Sequence, residues 1–239
     1  GQEKALKNLE AFGIEGVVVI GGDGSLRGAN VLSNMGIPTI GIPTTIDNDI
    51  AFTDNCIGFD TAVNTVVDAL NKVRDTATSH ERTFVVEVMG RNAGHLALYT
   101  GLASGAEAIL VPEIPFDLDA ICEKIKSGYK RGKLHSIIVV AEGAASSIEV
   151  GKVIKEKTNL ETRVIILGHL QRGGTPTAYD RILASRFGGK AVDLLKENVK
   201  DKMIGLINGE LVLTDIDKVL STPKPLDMEL YQLADILSL

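Results

Sequence analysis

The stretch GVVVIGGDGS at residues 16–25 decides the fold class. Its first half is a short run of apolar, β-branched residues, which predicts a strand that is covered on both faces. Its second half is a glycine-rich turn, and a helical pattern follows directly at 25–35. A strand, a tight turn and a helix in this order make the first part of a βαβ unit. The stretch therefore predicts an α/β protein.

The same alternation continues along most of the chain. Apolar runs that predict strands lie at 16–20, 37–42, 83–88, 108–111, 136–141 and 164–167. Helical patterns lie at 25–35, 60–78, 94–104, 117–131, 148–157 and 178–195. Strands that alternate with helices at this spacing form mostly parallel, doubly wound sheets with right-handed crossovers. Ligands of such sheets bind beyond the carboxyl ends of the strands, so the loops after the strands are the candidate functional segments.

Composition excludes several classes of protein. The chain has 239 residues, 44% of them hydrophobic, and a formal net charge of −6, which excludes a disordered chain and argues against a general nucleic-acid surface. No apolar run approaches the 18 residues of a membrane span, and no signal peptide is visible, so we expect a cytoplasmic protein without membrane contact. Cys56 and Cys122 are far apart and predict buried, reduced thiols. Since the sequence opens on Gly1 inside a helical pattern, we expect the tail of a longer protein.

The glycine-rich turn after the first strand is the first candidate site. Glycines let the backbone approach a ligand closely, and the helix that follows offers free N–H groups and a positive dipole end to a phosphate. Asp23 in that turn is placed to hold Mg²⁺ between phosphate oxygens. The alternative interpretation is a plain βα turn in which Asp23 caps the helix.

The second candidate site is the sequence PTTIDND at residues 43–49, which follows the second strand. In an extended segment residues i and i+2 share a face, so we expect Asp47 and Asp49 to point to the same place. Two neighbouring carboxylates can divide their roles, one as a base and one near a metal ion. The alternative is an Asx turn, which Asp and Asn form readily.

Three later loops add cationic and acidic groups. Arg91 follows the third strand and offers a planar fork of donors to phosphate, while Glu142 stands at another strand tip, where it can bind sugar hydroxyls. A last loop carries His169 and Arg172 a few residues beyond Arg163, and this group has donors but few acceptors, which favours an anionic ligand. Because neither a zinc spacing nor a serine or cysteine nucleophile motif is present, the set favours phosphoryl transfer over acyl transfer.

The chain resembles the 6-phosphofructokinases of the bacterial type. The matching stretches, in order, are GGDGS at 21–25, TIDND at 45–49, SHER at 79–82, VMGR at 88–91, AEG at 141–143, ETR at 161–163, GHLQRGG at 168–174 and YDR at 179–181. A GGDGS-like turn alone also occurs in NAD kinases and lipid kinases, but the joint order is specific. The resemblance implies two Rossmann-like lobes, the first incomplete here. It also implies MgATP-dependent phosphorylation of the 1-hydroxyl of fructose 6-phosphate.

The resemblance also implies a role for each matching residue. Asp47 matches the catalytic base, and Thr45 and Arg91 match groups beside the transferred phosphoryl. The nucleotide phosphate loop is matched by Gly22, Asp23, Gly24, Ser25 and Gly28, and the Mg²⁺ region by Asp23 and Asp49. The sugar-phosphate site is matched by Thr45, Asp47, Met89, Gly90, Arg91, Glu142, His169 and Arg172, with Arg82 and Arg163 serving a neighbouring subunit. A regulatory site for a nucleotide or phosphoenolpyruvate is matched by Arg74, Glu107, Arg131 and Lys133.

The resemblance further predicts the organisation of the chain. The nucleotide-binding lobe is expected to take residues 1–58 and about 171–221, and the sugar-phosphate lobe residues 59–170 and about 222–239. Self-association into a dimer of dimers is implied as well. The family's first strand and its Gly-Gly…Pro-Gly-Asn turn have no counterpart here, so we expect part of the nucleotide and effector contacts to be absent from this chain.

Two alternatives to an ATP-dependent kinase stay open. Thr44 stands where ATP users often have Gly and pyrophosphate users have Lys, whereas Gly24 replaces the Asp that is typical of pyrophosphate users and favours ATP. A pyrophosphate-dependent enzyme is therefore the nearest alternative. A non-catalytic fragment that binds sugar phosphate is the other.

Overall fold

The chain forms two compact units in a computed structural model that describes residues 2–238, apart from the side chains of residues 2 and 80. The first unit takes the chain up to Asp60 together with Pro176–Pro225, and the second takes Thr61–Thr175 together with the chain from Leu226 onward. The strands are β1 Val17–Gly21, β2 Thr39–Pro43, β3 Thr83–Val88, β4 Ala108–Leu110, β5 Ser136–Ala141, β6 Thr162–Ile166, β7 Lys202–Ile207 and β8 Glu210–Asp215. The helices are α1 Gln2–Ala11, α2 Asp23–Asn34, α3 Phe59–His80, α4 His95–Ala103, α5 Leu118–Lys130, α6 Ser147–Thr158, α7 Ala178–Lys196, α8 Ile216–Ser221 and α9 Met228–Leu237, with a 3-10 helix at Gly168–Arg172.

The first unit is built on a four-stranded sheet in the order β1-β2-β7-β8. The pairs β1–β2 and β2–β7 are parallel, and β7–β8 is an antiparallel hairpin. All five residues of β2 are buried, since α7 packs on one face and α2 on the other. This placement brings the carboxyl ends of β1 and β2 side by side at one edge of the sheet.

The second unit is built on a fully parallel sheet in the order β4-β5-β3-β6. All six residues of the central strand β5 are buried, as its continuous apolar sequence SIIVVA predicts. Helices α5 and α6 cover one face through Cys122, Ile125, Val150 and Ile154. The loops that follow β3, β5 and β6 therefore meet at the carboxyl edge of this sheet.

The predicted α/β class with mostly parallel sheets is confirmed, and each predicted strand and helix is present with bounds within two residues. The elements that the hydrophobic pattern did not predict are the 3-10 helix, β7, β8, α8 and α9. The β7–β8 hairpin turns at Asn208–Gly209, both with positive φ (51° and 84°), and this dipeptide is a hairpin signal that the prediction passed over.

The passages between the two units differ in position from the predicted ones. The second passage lies after Thr175 rather than after residue 170, because the 3-10 helix is bonded into the second unit. The third lies after Pro225 rather than after residue 221, because Pro223 forms a β-bridge with Ile50 in the first unit.

Candidate active site

The turn between β1 and α2 carries the glycine-rich sequence of the first unit. Helix α2 begins at Asp23, and its N-cap Gly22 has no side chain to bond the helix N–H groups. An acidic residue in the first turn is stabilised by the helix dipole. Gly24 is exposed, and a Cβ placed on it would meet nothing within 4 Å. The turn therefore presents an open helix N-terminus of the kind that binds phosphate groups.

The loop after β2 lies against this turn. Thr44 N–H donates to the Gly21 carbonyl (3.0 Å), and a Cβ placed on Gly22 would lie 3.6 Å from Thr45 Cβ. The two predicted loops of the first unit are thus direct neighbours, because their strands are adjacent and parallel.

Asp47 and Asp49 do not lie on an extended segment, so that part of the prediction is wrong. Asn48 between them adopts a left-handed conformation (φ 52°), which breaks the alternation that places residues i and i+2 on one face. Asp47 is only 6% exposed, and its N–H donates to Thr45 Oγ1 (3.2 Å). Both carboxylates still share one environment, because both act on the Cys56 thiol, whose pKa is raised to about 12 chiefly by burial, with smaller contributions from Asp49 and Asp47 that oppose the lowering effect of Lys224.

Asn48 holds this loop in place, and the sequence interpretation gave it no role. Its side chain is buried, donates from Nδ2 to the Asp54 carbonyl (3.0 Å) and accepts the Cys56 N–H at Oδ1 (2.8 Å). Lys224 Nζ donates to the same Asp54 carbonyl (2.9 Å). Burial lowers the pKa of the Lys224 ammonium, and the neighbouring Cys56, Asp54 and Asp49 partly offset this lowering. The Asn between two acidic residues was the sequence signal for a turn at this position, since Asn tolerates positive φ.

In the second unit, the loop after β3 forms a tight turn around Arg91. Glu142 Oε1 accepts the N–H groups of Gly90 (3.1 Å) and Arg91 (2.7 Å), and Arg91 has a φ of 53°. A Cβ on Gly143 would lie 2.1 Å from the Arg91 carbonyl oxygen. Glu142 was predicted to bind sugar hydroxyls; what the structure shows is that its carboxylate bonds to the backbone that carries Arg91.

The 3-10 helix after β6 carries the two cationic side chains His169 and Arg172, both exposed. Gln171 of the same helix is 1% exposed, accepts the Met89 N–H at Oε1 (3.1 Å) and donates from Nε2 to the Gly168 carbonyl (2.9 Å). The loops after β3 and β6 are therefore joined by direct bonds, and Glu142 joins the loop after β5 to them.

Arg82 and Arg163 lie at the other end of this sheet. Glu161 Oε1 is 3.0 Å from Arg82 Nε and 2.6 Å from Arg163 Nη2. Hydrogen bonds from Arg82 and then Arg163 lower the pKa of the Glu161 carboxyl below its usual range. The structure thus places the two arginines side by side but apart from Arg91, which lies beyond the full length of β3.

Of the four predicted regulatory residues, Glu107 and Lys133 form an ion pair, and Arg74 and Arg131 lie outside that pair. Glu107 is buried, lies 2.7 Å from Lys133 Nζ and also accepts the Ile137 N–H. Arg131 is exposed at the end of α5, and the Arg74 guanidinium lies close to Gly105. A cavity of about 650 Å³ opens between the edge of β4, α5 and α9, and of these four residues only Glu107 lines it.

Two general observations concern metal ions and membranes. Over the described side chains, His, Cys, Asp and Glu form no group of three that is placed to hold a metal ion. Mg²⁺ does not require such a group, because it commonly binds through one or two carboxylates, waters and substrate phosphates.

Within residues 2–238, none of the helices combines the length and apolar character needed to cross a membrane.

An α/β chain of mostly parallel sheets, in which an open helix N-terminus lies against a loop with a buried carboxylate, has the features of an α/β phosphotransferase. Within that class, the family model of phosphofructokinase matches residues 1–195. The chain belongs to the phosphofructokinase family, as its motifs predicted.

Individual relatives agree with this placement. The chain is 60% identical to the ATP-dependent 6-phosphofructokinase of Halothermothrix orenii and 57% identical to that of Bacillus pumilus, covering 100% of this chain and 76% and 75% of those proteins. Among solved structures, phosphofructokinase from Saccharomyces cerevisiae has a TM-score of 0.83 at 34% identity, covering 96% of this chain and 34% of that one. A pyrophosphate-dependent phosphofructokinase from Marinobacter aquaeolei has a TM-score of 0.82 at 24% identity, covering 95% of this chain and 65% of that one, and this likeness concerns the fold alone.

Proposed function

We propose that the chain transfers a phosphoryl group from MgATP to the 1-hydroxyl of fructose 6-phosphate, as a cytoplasmic glycolytic kinase. The observation that carries this proposal is the direct contact between the glycine-rich turn and the Thr45–Asp47 loop, because it sets a phosphate site next to a buried carboxylate. The relatives above 55% identity, which are named ATP-dependent enzymes, support ATP as the donor. Phosphoryl transfer depends mainly on positioning and electrostatics, which such an arrangement supplies.

The first unit is proposed to bind the nucleotide. The N–H groups at the start of α2 and the side chain of Ser25 face the phosphates, while Gly22, Gly24 and Gly28 allow their close approach. Asp23 and Asp49 would hold Mg²⁺, which when bound neutralises charge on the phosphate oxygens. Asp23 lies in the first turn of α2, and Asp49 belongs to the loop that contacts this turn, which suits an ion that binds through one or two carboxylates together with waters and phosphates.

The acceptor is proposed to bind to loops of the second unit. His169 and Arg172 provide donors for the 6-phosphate, and Glu142 and the backbone of Met89 and Gly90 border the sugar. Asp47 accepts the proton of the 1-hydroxyl as it attacks. Thr45 and Arg91 stabilise the charge that develops on the transferred group.

Arg82 and Arg163 are proposed to serve a neighbouring subunit. The six residues of β3 separate Arg82 from Arg91, and a strand of that length spans about 20 Å. One sugar phosphate therefore does not reach both ends of the sheet. A closed assembly with two-fold interfaces, in the form of a dimer of dimers, would place the arginine pair at a partner's site. Arg74, Glu107, Arg131 and Lys133 are proposed to bind an anionic effector, a nucleotide or phosphoenolpyruvate.

A pyrophosphate-dependent enzyme is less well supported. Gly24 is exposed and leaves room for the α-phosphate of ATP. The Asp of pyrophosphate users would fill that space, and its negative charge would repel the phosphate. Thr44 favours neither donor, since ATP users often carry Gly there and pyrophosphate users carry Lys.

A coupled assay with each donor tests the proposal. We expect turnover with ATP and fructose 6-phosphate, little with pyrophosphate, and a loss of about 10²–10⁴-fold in kcat for Asp47→Ser with little change in sugar-phosphate affinity. Asp68→Ser is the matched control, because that carboxylate is exposed on α3 and forms a surface ion pair with Lys72, one helical turn away. Turnover with pyrophosphate alone, or an Asp47→Ser variant above a tenth of the normal kcat, would contradict the proposal.

A further inference from the structure

Gln171 is a buried amide that bonds two functional loops at once. Its Oε1 accepts the N–H of Met89, and its Nε2 donates to the carbonyl of Gly168. Met89 is the first residue of the loop after β3, which carries Arg91, and Gly168 is the first residue of the 3-10 helix, which carries His169 and Arg172. The side chain is 1% exposed, so water does not replace either bond when the amide is removed.

We propose that Gln171 is the positioning residue that sets the 3-10 helix, with His169 and Arg172, at the correct distance from the Met89–Arg91 turn. This inference rests on the proposed function, because it assigns those loops to the sugar phosphate. An amide suits this role, since it offers one acceptor and a donor on a planar group and therefore fixes both the separation and the orientation of the two backbone segments.

The two loops depend on Gln171 to different degrees. The turn at Arg91 keeps a second anchor, because Glu142 accepts the N–H groups of Gly90 and Arg91. In the 3-10 helix, the bond from Gly173 N–H to the Leu170 carbonyl closes the end of the helix without reaching another strand. Loss of the amide therefore displaces His169 and Arg172 more than it displaces Arg91. Binding of the sugar phosphate is the step that this displacement affects.

Two variants separate the two bonds. Gln171→Leu removes both, whereas Gln171→Glu keeps an acceptor for Met89 N–H and loses the donor to the Gly168 carbonyl. Thr100→Val is the matched control: Thr100 is fully buried in the same unit, and its hydroxyl bonds to the Leu96 carbonyl within α4.

Steady-state kinetics on the intact, assembled protein test the inference. For Gln171→Leu we expect the KM for fructose 6-phosphate to rise at least 10-fold, with the KM for ATP within twofold and kcat within threefold. Gln171→Glu is expected to lie between the unaltered protein and Gln171→Leu, and Thr100→Val to change none of these constants beyond twofold. An unchanged KM for the sugar phosphate in Gln171→Leu, or an equal loss in Thr100→Val, overturns the inference.

Hydrogen exchange followed by mass spectrometry gives a readout that does not require turnover. In Gln171→Leu, peptides covering 88–92 and 168–172 should exchange faster, and saturating fructose 6-phosphate should no longer protect the second of them fully. Unchanged exchange in both peptides overturns the inference even if the kinetics differ. Absence of turnover in the unaltered protein would instead refute the proposed function, while the exchange data still decide whether Gln171 joins the two loops.

Discussion

Substituting Gly143 with alanine displaces the turn that carries Arg91. A Cβ at this position lies 2.1 Å from the Arg91 carbonyl oxygen, and ordinary contact begins at 3.4 Å, so the carbonyl must withdraw by about 1.3 Å. That carbonyl belongs to a backbone fixed by Glu142, which cannot yield as a flexible side chain does. Overpacking of this kind costs about 1–3 kcal/mol.

The displacement has two measurable effects. A cost of about 1–3 kcal/mol lowers the melting temperature of a chain of this size by about 2–12 °C. A misplacement of about 1 Å near the reacting groups lowers turnover by about 10²-fold. Thermal unfolding and the coupled kinase assay, both on Gly143→Ala, measure the two effects separately.

Gly189→Ala is the matched control for this substitution. Gly189 is exposed within α7, and a Cβ there meets nothing within 4 Å. Alanine in a helix interior is preferred over glycine by about 0.5–1 kcal/mol, so this variant should melt at or above the normal temperature with unchanged kcat. A Gly143→Ala protein with a normal melting temperature and a normal kcat would refute the conclusion that the backbone at Arg91 needs a residue without a side chain at position 143.

Three further outcomes are expected. Mixing Asp47→Ser with Arg163→Ala and reassembling them should restore part of the activity in the assay, whereas no recovery in verified hybrids would argue against a shared site. The pKa of the Cys56 thiol, raised by burial from 9.0 to about 12, means that the folded chain keeps a proton that the unfolded chain releases. The contribution of Cys56 to the free energy of unfolding is thus fully present below pH 9 and is lost as the pH rises towards 12. Chemical denaturation between these pH values should show that the free energy of unfolding of Cys56→Ala depends less on pH than that of the unaltered protein. Lys224→Gln should lose about 1–3 kcal/mol of unfolding free energy by denaturant titration, because it weakens a half-buried charged bond, while Lys202→Gln at an exposed ion pair should lose less than about 1 kcal/mol.

The sequence predicted the strands and helices well because their signals are local. Apolar runs of five or six residues such as VVVIG and SIIVVA allow few alternatives, and they place the loops at the carboxyl ends of parallel strands. The β7–β8 hairpin escaped prediction, since Gly205 interrupts an otherwise apolar strand and only Asn208–Gly209 marks the turn.

The site was predictable as a set of loops but not as a set of contacts. Asp47 and Asp49 stand two residues apart, yet the rule for extended chains failed because Asn48 turns the backbone. Gln171 and Glu142 bond to backbone atoms 82 and 51–52 residues away, and no spacing rule contains such partners. Sequence gives the residue types at a strand end, whereas these bonds arise only when the sheets bring distant strand ends together.

The order of segments along the chain has a consequence for synthesis on the ribosome. The sheet of the first unit needs β2 to pair with β7, and the two strands are separated by more than 150 residues, Pro43 ending one and Lys202 beginning the other. The sheet of the second unit is complete once Ile166 has been made. Contacts between distant segments form slowly, and emerging domains fold as units. The growing chain therefore completes the sheet of the second unit first and carries β1 and β2 without their partner strand β7 until the segment from Lys202 onward emerges. That interval is the one in which a chaperone has an exposed strand edge to bind.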